Sequence, residues 1–198
     1  MKTKKKLVRS LSILLVVLTA ILVQSLRKEP PAKPGLYRVT AVHDGDTVTV
    51  RTNDREEKVR LIGIDAPELA QKPWGGRAKA HLEEILSASD RTVSLEYDIE
   101  KQDRYGRRLA YLRTKGGEMV NQRMLKDGYA VLLTIPPNVR YVEALRKAQA
   151  DARKGGLGIW GAGGLRETPK DYRERKRRGG LFDKRFQLCY NVLQRRAQ

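Results

Sequence analysis

Val59-Arg60-Leu61-Ile62-Gly63-Ile64-Asp65-Ala66-Pro67-Glu68 opens as an apolar, strand-like run and closes on two carboxylates separated by Ala-Pro. The run from Lys58 to Ile64 reads as a strand that delivers Asp65 and Glu68 to its end. Upstream, Leu36 to His43 alternates, with Tyr37, Val39 and Ala41 set against Arg38, Thr40 and Val42. Thr47 to Arg51 follows, and the turn signals Asp44-Gly45 and Asn53-Asp54 separate the runs, so three short strands are expected in succession. Downstream, a helix is expected over about Arg77 to Ser87, with Ala78, Leu82, Ile85 and Leu86 on one face. Arg91–Tyr97 and Arg108–Arg113 read as two further strands, with a turn at Tyr105-Gly106 between them. A helix around Glu118–Lys126 ends at Gly128, and a short strand is expected at Tyr129–Leu133. The third helix, about Val139–Lys154, places Val142, Leu145, Ala148 and Ala152 inward and stops at Gly155-Gly156.

Three strands, a helix, two strands and two helices suit an α+β, mainly β fold: a five-stranded barrel of the OB type with about three flanking helices. The chain has 198 residues, enough for one compact domain with extensions. Its net charge of +18 is unevenly placed. Residues 1–34 carry eight Lys or Arg against one acid, and residues 165–198 carry eleven against four, while the middle is nearly balanced. Such tails favour polyanions, either nucleic acid or anionic lipid, although a solvated surface would have the same composition. One cysteine, Cys189, excludes an internal disulfide, and His43 and His81 alone cannot furnish a zinc site.

Lysines at 2 and 4–6 and Arg9 precede an uncharged run, Ser10 to Leu26, as in a secretory signal or a short signal-anchor. Residues 7–26 would leave the N-terminus cytoplasmic and send the body across, so the expected location is extracytoplasmic, secreted or membrane-anchored. The segment Glu29-Pro30-Pro31-Ala32-Lys33-Pro34 reads as a stiff linker. The expected organisation is therefore 1–34 as leader and linker, 35–160 as the barrel domain, and 161–198 as a basic extension. Within that extension 173–178 is nearly all charge, and Phe182, Phe186, Cys189 and Leu193 fall at helical spacing.

Two acidic clusters, Asp44-Gly45-Asp46-Thr47 and Asp65-Ala66-Pro67-Glu68, each follow an apolar strand, so neighbouring strands could bring both to one end of the sheet. Converging carboxylates repel unless a cation lies between them, and oxygen-only ligation selects calcium or magnesium. Arg60 lies in the strand leading to Asp65, and Arg107 follows the tight turn Asp103-Arg104-Tyr105-Gly106. Guanidinium forks match phosphate oxygens in pairs. A single Asp-Gly is more often only a turn; the combination is what points to phosphate chemistry.

His43-Asp44-Gly45-Asp46-Thr47-Val48, Val59 to Glu68 and Asp103-Arg104-Tyr105-Gly106-Arg107 together resemble, in order and spacing, the staphylococcal nuclease (thermonuclease) family. The resemblance runs from about Leu36 to Trp160. It implies an OB-type barrel and a calcium-dependent nuclease that cuts DNA and RNA with little sequence preference and leaves 3′-phosphate ends. By the same resemblance Asp46, Asp65 and the backbone carbonyl of Ala66 hold the metal, and Asp44 supports them. Glu68 is similar to the family's general base, Arg60 and Arg107 to its phosphate-binding arginines, and Arg104 and Tyr105 to its nucleotide-phosphate contacts. The type member has a threonine at the position of Ala66, and its tyrosine pair has no counterpart around Thr134, Ile135 and Pro136. The loop from Leu69 to Trp74 also looks shorter. The competing expectations are a catalytically lapsed nucleic-acid-binding barrel, and a membrane-surface protein whose tails bind anionic lipid. No obligate protein partner is implied.

Overall fold

A computed structural model of the chain describes residues 35–52 and 55–179. The leader expected within residues 1–34 and the apolar stripe from Phe182 to Leu193 lie outside the described residues. The barrel strands are β1 (Leu36–Val42), β2 (Thr47–Thr52), β3 (Arg55–Leu61), β5 (Thr92–Glu96) and β6 (Arg108–Thr114). They close in the order β1-β2-β3-β6-β5. Neighbours are antiparallel except β3 and β6, which run parallel with Arg60 opposite Leu109. A second, two-stranded sheet pairs β4 (Ile64–Asp65) with β7 (Val131–Leu132). Val39, Val48, Val50, Val59, Leu61, Val93, Leu95, Ala110 and Leu112 are buried and form the core, as their alternation demands.

Helices α1 (Trp74–Ser87), α2 (Val120–Lys126) and α3 (Val142–Lys154) flank the barrel. Ala78, Leu82, Ile85 and Leu86 of α1 are all buried, as are Leu145, Ala148 and Ala152 of α3; Val142, expected inward, is only half-buried. Asn121 of α2, fully buried, ties helix to barrel. Its Nδ2 donates to the Ile62 carbonyl at 2.8 Å, and its Oδ1 accepts from the Leu112 N–H at 2.9 Å.

Three local expectations are corrected. The pairing of β1 with β2 slips by one residue between Val39 and Ala41, so Val42 is buried and Ala41 is not. A one-residue bulge inverts which side chains face the core. The run Lys58–Ile64 is also not one strand. It breaks after Leu61 because Gly63 adopts φ +81°, and Ile64–Asp65 leaves the barrel to pair with β7. Helix α1 begins at Trp74, ahead of Arg77, because Gly75 lets the helix lie directly on the chain that carries Glu68. A Cβ there would stand 2.1 Å from the Glu68 carbonyl oxygen. A further helix, α4, occupies residues 169–179, within the basic extension.

Candidate active site

Each element places one part of the site. The loop from β1 to β2 is tightened by Asp44, whose Oδ1 accepts the Asp46 N–H at 2.9 Å. Gly45 makes this loop possible by packing rather than by turning. A Cβ on it would meet those of Ala66 and Ala78 at 2.6 and 2.8 Å. Asp46 is therefore buried, and both of its carboxylate oxygens are engaged. Thr47 Oγ1 donates to Oδ1 at 3.0 Å, while the Ala66 N–H and Arg60 Nη2 lie 2.8 and 3.0 Å from Oδ2. Burial pushes the Asp46 carboxyl above its ordinary range against the pull of the Arg60 guanidinium, and Asp44 nearby adds to the rise.

Asp65 is 1% exposed, and its Oδ1 stands 3.3 Å from the same Arg60 Nη2. The two acidic clusters thus meet around a single guanidinium nitrogen. Arg60 in turn donates from Nη1 to the Leu61 and Ile64 carbonyls at 2.7 and 2.8 Å. It braces the turn where β3 breaks. Glu68 sits in a loop closed reciprocally by Gln71, whose Oε1 accepts the Glu68 N–H at 2.9 Å while its own N–H donates to the Glu68 carbonyl at 2.7 Å. The Glu68 carboxylate is half-exposed.

Asp103 organises the opposite wall. Its Oδ1 accepts the N–H groups of Tyr105 and Arg107 at 2.9 and 3.0 Å, and its Oδ2 accepts Arg107 Nε at 2.7 Å. Gly106, at φ +79°, completes the turn. Burial opposes ionisation of Asp103, but these bonds outweigh it and hold the carboxyl below its ordinary value. Tyr105 is exposed, with the Arg104 and Arg107 guanidiniums 4.8 and 5.6 Å from its ring centre. Both walls line one cavity of about 750 Å³, and Asp44, Asp46, Arg60, Asp65, Ala66, Glu68, Arg104, Tyr105 and Arg107 all belong to it. His43 bonds to Thr49 and His81 to Asp127, and neither lines the cavity.

The donor chemistry of this wall is oxygen alone. Among the described residues no three His, Cys, Asp or Glu side chains form a metal cage. Asp46, Asp65 and a backbone carbonyl could hold a hard cation that completes its shell with water or phosphate oxygens, a set that suits calcium and magnesium better than zinc, which favours nitrogen and sulfur.

A family model described as "Staphylococcal nuclease homologue" matches residues 58–162. The chain is also 34% identical over 168 residues to a thermonuclease of Staphylococcus intermedius, covering 79% of this chain and 98% of the relative. A thermonuclease of Staphylococcus hyicus is likewise 34% identical, over 169 residues and with the same coverage. Endonuclease YhcR of Bacillus subtilis (strain 168) is 32% identical over 77% of this chain, which corresponds to 14% of that larger protein. This chain belongs to the staphylococcal nuclease family.

The match encloses Arg60, Asp65, Ala66, Glu68, Arg104, Tyr105 and Arg107, whereas Asp44 and Asp46 precede it. The contacts of Asp46 to Ala66 and Arg60, and the bond of Asp44 to the Asp46 N–H, support their membership of the site. Where the type member of the staphylococcal nuclease family has tyrosines, this chain offers the cavity Ile135, an exposed aliphatic side chain. Arg173 of α4, which lines the cavity and bonds to Asp65 and Glu68, carries no signal in the sequence. It follows the family match, and nothing in a run of charges distinguishes it from its neighbours.

Proposed function

We propose that this nuclease cuts the phosphodiester bonds of DNA and RNA with calcium, with little regard to sequence, and leaves 3′-phosphate ends. The observation that carries this reading is the convergence of buried Asp46 and Asp65 on the cavity that also holds Arg60, Arg107 and Glu68. Asp46, Asp65 and the Ala66 carbonyl would hold the cation, and Asp44 fixes the loop that presents Asp46. When bound, calcium would supply positive charge to a phosphate oxygen and help to lower the barrier to attack.

The protein's own groups do the rest. Glu68, half-exposed at the cavity rim, is placed to orient a water and accept its proton. Attack on phosphorus builds negative charge on the equatorial oxygens, and the forked donors of Arg60 and Arg107 take it up as it forms. The bond from phosphorus to the 5′ oxygen then breaks. Arg104 and Tyr105, exposed beside Arg107, would receive the neighbouring phosphate. The lysine-led apolar run over residues 7–26 supports export of the chain, with the barrel acting outside the cytoplasm.

The test is cleavage of plasmid DNA and of RNA with calcium, with magnesium and with chelator, together with kinase labelling of the product ends. Calcium-restored cutting is expected, with 5′-hydroxyl ends that a kinase labels directly; ends that resist labelling until dephosphorylated would be 5′-phosphates and would overturn the 3′-phosphate assignment. Glu68→Gln should lower kcat by ~10²–10⁴. Cutting indifferent to chelator would overturn the calcium assignment, and an unchanged kcat in Glu68→Gln would overturn the base.

A further inference from the structure

Arg173 projects from α4 into the cavity and lies on the carboxylates assigned to catalysis. Its Nη1 donates to Asp65 Oδ1 at 3.1 Å and to Glu68 Oε1 at 2.8 Å, and its Nη2 donates to Asp65 Oδ2 at 2.8 Å. One guanidinium thereby covers both oxygens of Asp65 and ties up the base. A forked pair on a carboxylate is among the stronger charge-assisted contacts. The Asp65 side chain is 2% exposed, so water screens the contact poorly.

We propose that Arg173 is an internal counter-cation that competes with the divalent metal for Asp65, making α4 a latch that metal binding opens. This rests on the calcium reading given above. The Arg173 guanidinium already occupies both oxygens of Asp65 and one of Glu68, so a cation that takes up Asp65 must displace those bonds. A divalent ion and a guanidinium held to the same buried carboxylate also repel each other, where water screens them poorly. Departure of Arg173 removes that repulsion and frees Asp65 for the ion.

Arg60 cannot be the one to leave, because its Nη1 is bound to two backbone carbonyls and its side chain is 13% exposed. Arg173 is 42% exposed and reaches in from a separate helix. The start of α4 is secured locally, by Thr168 with Asp171 and by Arg175 with Glu167. Release of Arg173 therefore frees the helix from the carboxylates without removing its cap. By linkage, calcium must weaken the hold of Arg173 as much as Arg173 weakens that of calcium.

The experiment is calorimetric titration of calcium into the full chain, as wild type, Arg173→Gln and Asp46→Asn. Arg173→Gln is expected to bind calcium about tenfold more tightly, or about 1.4 kcal/mol, and Asp46→Asn more weakly than wild type. Equal or weaker binding by Arg173→Gln, beside normal binding by the wild type, would overturn the latch and leave the calcium site standing. No heat of binding in any form would overturn both. Hydrogen exchange on the wild type supplies a readout that needs no variant. Saturating calcium should speed exchange across residues 169–179, since an undocked helix of this length is marginal in water; unchanged or slower exchange overturns the latch.

Discussion

Arg60 and Arg107 carry the same charge but are held in opposite ways, and that difference separates stability from catalysis. Arg60, largely shielded from solvent, is held against two carbonyls and two carboxylates, which an ammonium cannot satisfy together. Arg60→Lys is expected to lower kcat by ~10²–10³ and also to cost ~3 kcal/mol of stability, as buried charges are left poorly paired. The Arg107 side chain is 30% exposed, and among the described residues its ion pair is with Asp103. Arg107→Lys should show a similar fall in rate with ~1 kcal/mol or less in stability. Urea unfolding beside steady-state kinetics checks both, and equal destabilisation would show that Arg60 is no brace.

Asp103 gives a pH dependence. Because its folded carboxyl is held below the ordinary value of ~3.9, it stabilises the fold above that pH and loses this contribution as pH falls through the folded value. Asp103→Asn should cost on the order of 1 kcal/mol at pH 7, shrinking below about pH 4; a gap constant down to about pH 2 would exclude the ionised acceptor. At this scale most of the site is legible in the sequence, because Arg60, Asp65, Ala66 and Glu68 are near neighbours along the chain and local structure sets their geometry. Arg173 is not, since its partners lie more than a hundred positions away and only tertiary docking joins them.

Among the elements, α1 shows how a helix can position the loop that carries Glu68. Gly75 lies on the backbone of Glu68 and Leu69, where a Cβ would stand 2.1 Å from the Glu68 oxygen and 2.6 Å from Leu69 Cα. Gly76, the next residue, has nothing within 4 Å of its added Cβ. Gly75→Ala must push the loop away and is expected to cost ~1–3 kcal/mol and to lower kcat by about tenfold or more as Glu68 moves. Gly76→Ala should leave kcat unchanged and gain up to ~1 kcal/mol, alanine being the better helix former. Thermal unfolding and initial rates distinguish the pair, and equal behaviour would remove the packing argument. The same packing explains why the start of α1 is hidden in the sequence: two adjacent glycines look like a helix breaker unless the backbone they touch is known. The strand alternation is legible up to the bulge between Val39 and Ala41, where one extra residue reverses the pattern without any mark in the sequence.

On the scale of the whole molecule, charge is separated from chemistry. The chain carries a net +18, but residues 35–164 hold 22 basic and 18 acidic residues, so the catalytic body is close to neutral. Long-range attraction for a polyanion must therefore come largely from the ends. Lys176, Arg177 and Arg178 are basic residues of α4, the helix whose Arg173 already reaches the cavity. A strand leaving the cleft past α4 would meet them next. Replacing all three by glutamine, in a Glu68→Gln background that spares the substrate, tests this on single-stranded DNA. The slope of log Kd against log salt should flatten by ~0.7 for each phosphate left without its cation, or about 2 in total. With Glu68 restored, kcat on short oligonucleotides that end within the cavity should not change. An unaltered salt slope would mean that these charges solvate the surface and that substrate is gathered elsewhere.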